Sequence, residues 1–340
     1  SISIMLSLVH WHIEPSSICT LKCPRCARAE VPESLLNRQL SLDFFKNQLG
    51  ESLINEIKKI TFCGNDGDPI YCNDLIPIIK WIKEINPTLN IVLITNGSHK
   101  KTQWWEELGI TLNEFDEIHF SLDGYDQSSN EIYRINSDWD SIIDGITAFN
   151  NVNSVTYKVW ASIAFKFNED KTDIQKELAT LYNFDCYQMT LSTKFESKYP
   201  LAYPNDELEP SGDLIPSGYR FERIDSLLTD KFRFSETIKE IYKEKIKNTD
   251  DPKLCTIGNK GLFLNSHGEF YPCCWVANRY EHNNKWIEMG KTKFNLHNRT
   301  FEEIINDEFW SNEFLKFDNL ECKTKCNKCA LQDENYLLNW

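Results

Sequence analysis

From Leu8 onward the chain alternates short apolar runs with longer stretches whose apolar residues recur at helical spacing. The runs Leu8–Ile13, Lys59–Phe62, Ile91–Thr95, Glu117–Leu122, Val159–Phe165 and Tyr187–Leu191 have strand length and are bounded by turn-forming residues. Between them, Leu42, Phe45, Leu49 and Leu53 fall on one helical face, with Ser41 placed to cap that helix. Leu75, Ile78, Ile79, Ile82 and Ile85 form a second such face. Trp139, Ile142, Ile143, Ile146 and Phe149 form a third, entered through Ser137 or Asp138. Repeated strand–helix units predict an α/β fold, a parallel sheet covered by helices. Six units are fewer than the eight of a closed barrel, so the expected form is an open, partial (β/α)6 TIM-like barrel. In such folds the working loops follow the C-terminal ends of the strands.

The rhythm stops at about residue 192. Over 195–250, tyrosine, proline and mixed charges replace it, and Tyr199-Pro200 and Tyr203-Pro204 break regular structure. This stretch reads as a connection with one or two helices, the later one at about Phe234–Lys247. Past it, Gly268-Glu-Phe-Tyr-Pro-Cys-Cys274 has the pattern of a hairpin. The expected organisation is therefore a partial barrel over 1–194, a connecting segment over 195–250 and a small α+β domain over 251–340.

Composition narrows the class. The 340 residues, 41% of them hydrophobic, are enough for more than one domain. No apolar run approaches the ~18–20 residues of a membrane helix. The apolar start of the chain is short, lacks a basic n-region and runs on into a strand pattern, which speaks against a signal peptide and for a cytoplasmic protein. A net charge of −14 argues against nucleic acid as the main partner, since phosphate binding needs a basic surface.

Twelve cysteines in such a chain point to metal or catalysis rather than to disulfides. Cys19, Cys23 and Cys26 crowd into eight residues, and six more lie between Cys255 and Cys329. Thiolates are the soft ligands that iron–sulfur clusters and zinc prefer. Three cysteines around a four-iron cube leave one iron without a protein ligand, the open coordination that marks a reactive site. Position reinforces this reading. The triad follows the first strand, Phe62-Cys-Gly-Asn-Asp-Gly-Asp-Pro69 the second, Asn96-Gly97 the third and Ser121-Leu-Asp-Gly124 the fourth.

The C-x3-C-x2-C spacing, with those strand-end loops, resembles the radical S-adenosylmethionine (radical SAM) superfamily. The resemblance implies a [4Fe–4S] cluster held by Cys19, Cys23 and Cys26, with SAM at its open iron. Gly67 and Asp68 stand where the family's loop, usually Gly-Gly-Glu-Pro, holds the methionyl amino group; aspartate for glutamate keeps the charge and shortens the reach. Asn96, Ser121 and Asp123 match residues facing the cofactor, and Arg134 matches an arginine that grips the methionyl carboxylate, a bidentate task suited to guanidinium. The rival reading of Arg134 is a surface ion pair with Asp138 or Glu131. Arg25 departs from the family, which commonly places an aromatic residue before the third cysteine; a guanidinium can also stack on adenine.

The pattern Cys255-x12-Gly268-x4-Cys273 followed by Cys326-x2-Cys329 resembles the twitch domain, a shortened SPASM domain. It implies an auxiliary [4Fe–4S] cluster on Cys255, Cys273, Cys326 and Cys329, with Cys322 as an alternative ligand and Cys274 as a weaker one. Cys63, Cys72 and Cys186 read as small buried hydrophobes. Cys63 and Cys72 flank the Gly67 loop, so a thiol that returns a hydrogen atom to a substrate is the rival reading there. His10, His12 and His119 lie on strands and read as packing or hydrogen-bonding residues. Together these features imply reductive cleavage of SAM, hydrogen abstraction from a substrate and a net oxidation or modification aided by the auxiliary cluster. A flavodoxin or ferredoxin would supply electrons. The substrate is a peptide or a small molecule, with an amino sugar or a nucleotide as the alternative. The absence of a leader-binding module ahead of the barrel counts modestly against the peptide. A reading of another class is a non-catalytic interaction protein with zinc at both cysteine groups.

Overall fold

The computed structural model describes residues 9–190, 206–208, 222–227, 229–247, 262–274, 276–277 and 285–313. Among them the strands are β1 (His10–Ile13), β2 (Lys59–Phe62), β3 (Asn90–Thr95), β4 (Glu117–Ser121), β5 (Tyr157–Ile163), β6 (Cys186–Thr190), β7 (Glu222–Ser226), β8 (Leu262–Leu264) and β9 (Phe270–Tyr271). The first six coincide with the apolar runs to within two residues, apart from Leu8 and Leu191, which lie outside the described residues. The chain forms two compact units. One takes its residues from Ser1–Ile18, Leu36–Val92 and Arg233–Trp340, the other from Cys19–Leu35 and Leu93–Phe232.

In the first unit the strand order is β3-β2-β1-β8-β9. β1 pairs in parallel with β2, His10 opposite Lys59 and His12 opposite Thr61, and in parallel with β8. β8 and β9 form the antiparallel hairpin read from Gly268–Cys274. Its turn is built by Asn265, whose side-chain oxygen accepts from the N–H groups of His267 and Glu269 at 3.0 Å each. Alternation then sorts the two faces of β1. Trp11 turns to one side and meets Phe270 at 5.0 Å and Phe301 at 5.3 Å between ring centroids. Phe270 stacks in turn on Trp310 at 5.2 Å. Burying aromatic rings of this size is worth ~1.5–3 kcal/mol each, so this cluster anchors the β8–β9 hairpin and the Phe301–Ile305 and Glu308–Glu313 helices to β1. The other face carries His10 and His12, with His10 Nε2 paired to Thr61 Oγ1 at 2.8 Å.

In the second unit the order is β7-β6-β5-β4-β3. β4–β5 and β5–β6 are parallel and β7 is antiparallel to β6. β7 lies within the stretch expected to be a helical connection; five residues of mixed charge, Glu222-Arg-Ile-Asp-Ser, carry too little apolar alternation to announce a strand. The Ser235–Lys247 helix of the first unit matches its expected place. The Trp139–Val152 helix is capped by Asp138 rather than Ser137: Ser141 N–H donates to Asp138 Oδ1 at 3.0 Å. Ser41 caps as expected, accepting from Phe44 N–H at 3.1 Å. The helix it starts is interrupted, passing through a π-helical turn at Phe45–Leu49 to Gly50, whose φ of +77° only glycine takes readily. No helix among the described residues is long and apolar enough to cross a membrane.

Side chains facing the helices are apolar. Phe120 of β4 packs on Trp105 at 5.4 Å and on Phe184 at 5.8 Å. Trp105 lies under the Trp139–Val152 helix so closely that a Cβ on Gly145 would come within 2.4 Å of its Nε1. Gly145→Ala should therefore push the Trp139–Val152 helix away from the Thr102–Thr111 helix that carries Trp105 and lower unfolding free energy by about 1–3 kcal/mol, read from urea denaturation. An unchanged midpoint would show that Trp105 can move aside.

Candidate active site

The three N-terminal cysteines sit in a loop held on both sides by the second unit. Lys22 N–H donates to Ile135 O at 3.0 Å, and Asn136 Nδ2 donates to Thr20 O at 2.8 Å. The loop turns tightly at Cys26, whose N–H donates to Cys23 O at 3.1 Å, and leads into the Ala27–Glu30 helix. Two N–H groups converge on Cys19 Sγ, that of Leu21 at 3.4 Å and Asn96 Nδ2 at 3.6 Å. Such donors stabilise anionic sulfur and tune a cluster bound to it. Cys23 is buried with Leu21, Tyr133, Phe165 and Leu208, and Cys19 and Cys26 pack against that group. Burial pushes the Cys23 thiol up to about 12, while the Arg134 guanidinium beside it pulls the other way.

Arg134 is held by Asp123, its Nε donating to Asp123 Oδ2 at 2.6 Å. Neither Asp138 nor Glu131 is that partner. The other carboxylate oxygen of Asp123 accepts from Ile163 N–H at 2.7 Å, and its backbone N–H donates to Asn130 Oδ1 at 3.1 Å. Burial raises the Asp123 carboxyl, with Arg134 and the Ile163 N–H opposing it. Burial also works against the Arg134 cation, but Asp123 and Cys23 outweigh it and keep the guanidinium charged. Asn96 shapes its own turn, accepting from Ser98 N–H at 2.9 Å, and Gly97 follows at a φ of +74°. Ser121 ends β4 half-buried, and Arg25 is buried within the cysteine loop.

Gly67 and Asp68 belong to the first unit. A Cβ on Gly67 would lie 1.9 Å from Ser16 O, so this loop presses on the chain leading to the cysteines. Asp68 N–H donates to Ile18 O at 3.0 Å, while the Asp68 carboxylate caps its own turn, accepting from Ile70 N–H at 3.2 Å. The buried Glu14 carboxylate faces the same loop. Burial and the neighbouring Asp66 push it up to about 8 against the N–H groups of Asp66, Gly67 and Ser266. Asn65 Nδ2 donates to Cys274 O at 2.9 Å.

A family model described as the radical SAM superfamily matches residues 13–179, and one described as an iron–sulfur cluster-binding domain, SPASM, matches residues 255–330. The chain carries a radical SAM domain and a SPASM domain. No curated protein sequence matches it. Its fold is similar to that of SuiB from Streptococcus suis bound to S-adenosylmethionine, at a TM-score of 0.62 and 15% identity, covering 95% of this chain and 71% of that one. It is also similar to anSMEcpe with bound AdoMet and the Cp18Cys peptide, at a TM-score of 0.52 and 15% identity, covering 97% and 87%. At such identity the likeness is one of fold: a mostly parallel α/β partial barrel with a C-terminal auxiliary domain.

A radical SAM domain works with SAM and a [4Fe–4S] cluster, and the SPASM domain binds further iron–sulfur. The residues present fit the first. Three thiols share one loop, N–H donors are aimed at one of them, and a cationic side chain lies beside another. Among the described residues no three His, Cys, Asp or Glu side chains are gathered as a single metal ion would need. The structure brings Cys19, Cys23, Cys26, Asn96, Asp123 and Arg134 into one neighbourhood of the second unit. Of the expected auxiliary ligands, Cys273 is buried, as is its neighbour Cys274, while Cys255, Cys322, Cys326 and Cys329 lie outside the described residues. Cys72 and Cys186 are buried at 1% exposure, as small hydrophobes would be, and Cys63 is half-buried. Sequence reasoning missed Glu14 and the pairing of Asp123 with Arg134. An acid directly behind an apolar strand was the available signal for Glu14.

Asp123→Asn should leave iron loading unchanged and weaken SAM binding roughly tenfold or more, because Arg134 loses the charge that orients it. Equilibrium binding of SAM to the iron-loaded protein measures this; wild-type affinity would remove Asp123 from the site.

Proposed function

We propose that this radical SAM enzyme removes a hydrogen atom from a C–H bond of a peptide substrate and completes a net oxidation. The cysteine loop carries the reading: Cys19 with its two N–H donors and Cys23 beside the Arg134–Asp123 pair. When bound, SAM and the two clusters supply reductive cleavage to methionine and a 5′-deoxyadenosyl radical, and an acceptor for the electron an oxidation releases. The chain's own residues bind and orient. Cys19, Cys23 and Cys26 hold the radical-site cluster, and Arg134, kept charged and aimed by Asp123, takes the methionyl carboxylate. Gly67 and Asp68 receive the methionyl ammonium; Asn96, Ser121 and Arg25 line the rest of the cofactor.

Residues 1–194 form the radical-generating part, 195–250 the connection and 251–340 the auxiliary part. There Cys255, Cys273, Cys326 and Cys329 hold the second cluster, with Cys322 as the alternative ligand. A flavodoxin or ferredoxin in the cytoplasm delivers the electron. Three observations favour a peptide. A protein of similar fold is known with a peptide bound. The net charge of −14 also suits a basic or neutral precursor. In both units, moreover, strand positions alternate to leave His10 and His12, and Glu117 and His119, on the face opposite the apolar packing. A polar lining of this kind can hydrogen-bond a peptide backbone.

Anaerobic reconstitution should load about eight irons per chain and confer reductive cleavage of SAM to 5′-deoxyadenosine. Alanine at Cys19, Cys23 and Cys26 should abolish cleavage, whereas alanine at Cys326 and Cys329 should lower iron by about half and spare the radical-site cluster. Colourless, zinc-loaded protein without cleavage would defeat the enzyme reading. Turnover with an amino sugar or nucleotide, and none with peptides encoded beside the gene, would replace the peptide by a small molecule.

A further inference from the structure

Where β2 ends, the chain must leave the sheet and its backbone donors need new partners. Cys63 N–H still follows the ladder, donating to Ile13 O at 3.1 Å. Beyond it the donors of Asp66, Gly67 and Asp68 all turn to one short stretch, residues 14–18. Asp66 N–H reaches Glu14 Oε2 at 2.7 Å, Gly67 N–H reaches the same oxygen at 3.3 Å, and Asp68 N–H reaches Ile18 O at 3.0 Å. Ser266, in the turn between β8 and β9, adds a third backbone hydrogen bond to the Glu14 carboxylate. Glu14 is itself fixed, its N–H donating to Leu264 O at 2.8 Å.

We infer that Glu14 is the positioning residue for the Gly64–Asp68 loop, holding it against the chain that enters the cysteine loop and against the β8–β9 turn. The inference rests on the reading of that loop as the seat of the methionyl ammonium. Fit supports it from the loop's side. A Cβ on Gly64 would come 2.4 Å from Glu14 Oε2 and 2.7 Å from its Cγ, so glycine leaves room for the carboxylate to lie along the backbone. Gly67 has still less room, against Ser16 O. The Asp68 carboxylate accepts from Ile70 N–H within its own turn, whereas Glu14 reaches across to the loop from the end of β1. An ionisable group buried this deeply is costly unless donors converge on it, and here they do. Its raised pKa means that a neutral amide of the same shape is a close substitute. The same carboxylate reaches a turn seven residues ahead of Cys273, an expected ligand of the auxiliary cluster. One side chain thereby sets the loop and the start of the auxiliary domain together.

Two measurements test this. In the cofactor-free protein, Glu14→Ala should speed amide hydrogen exchange at Asp66, Gly67 and Ser266 roughly tenfold or more, with the rest of β1 and β2 little changed. In the iron-loaded protein it should raise KM for SAM roughly tenfold with a smaller change in kcat. Glu14→Gln, whose amide oxygen accepts from the same donors, should restore most of both. Gly64→Ala, which displaces the carboxylate without removing it, should reproduce the Glu14→Ala effects and stands in for that variant if it does not fold. Wild-type exchange and wild-type KM in Glu14→Ala would overturn the role of Glu14. So would a Glu14→Gln protein as impaired as Glu14→Ala, since an amide of the same shape offers the same donors an acceptor oxygen. Failure of the wild-type protein to bind SAM would instead overturn the reading of the loop.

Discussion

A carboxylate taken out of water at the end of a strand must be met by donors, and in each unit the strand-end loops are arranged around meeting one. In the second unit the acid is Asp123. One oxygen takes the Arg134 guanidinium and the other the Ile163 N–H; its backbone carbonyl accepts from Asn168 Nδ2 at 2.8 Å and Gln175 Nε2 at 2.9 Å. Loosening it would release segments from four places in the chain, because a buried charge without partners is far costlier than the bonds that satisfy it are favourable. In the first unit the acid is Glu14, and its partners are backbone N–H groups rather than a cation. The difference has a consequence. Asp123 orients a charge for use, whereas Glu14 holds a backbone in place.

Strand polarity makes room for this chemistry. β1 spends its apolar side on the aromatic cluster around Trp11 and Trp310 and β4 spends Phe120 on Trp105, leaving the other side of each strand for histidine and acid. Parallel strands buried on both faces usually read as continuous apolar runs. Here His10-Trp-His-Ile13 and Glu117-Ile-His-Phe-Ser121 alternate instead. In each unit that alternation leaves one face of the strand to polar side chains, and the loops of the candidate site follow the C-terminal ends of such strands.

Much of the fold was legible because apolar spacing is local. Six strands and the helices beginning at Leu42, Leu75 and Trp139 followed from apolar periodicity, the first and third also from the capping residues Ser41 and Asp138. β7 did not, since Glu222–Ser226 owes its extended form to pairing with β6 rather than to its composition. The candidate site was legible in its cysteines and less so in its supports. Cys19, Cys23 and Cys26 could be named from spacing behind a strand, and Asn96, Asp123 and Arg134 from the resemblance to radical SAM enzymes. That Arg134 answers Asp123, and that Asn96 reaches Cys19, depends on approaches between residues 11 and 77 positions apart.

By itself the sequence determined the class of chemistry: a crowded run of soft ligands behind a strand, repeated strand–helix units and a second cysteine group far downstream. These are short-range facts of spacing and residue type, and they survive without coordinates. Only the tertiary structure decided how the charges are held. It set Arg134, whose rival reading was a surface ion pair, on a buried acid, and it made Glu14, unremarked among 51 acidic residues, the partner of a loop some fifty positions away. The physical reason is that hydrogen bonds and ion pairs act over a few ångströms of space, and chain folding, which periodicity encodes only coarsely, sets which groups come that close.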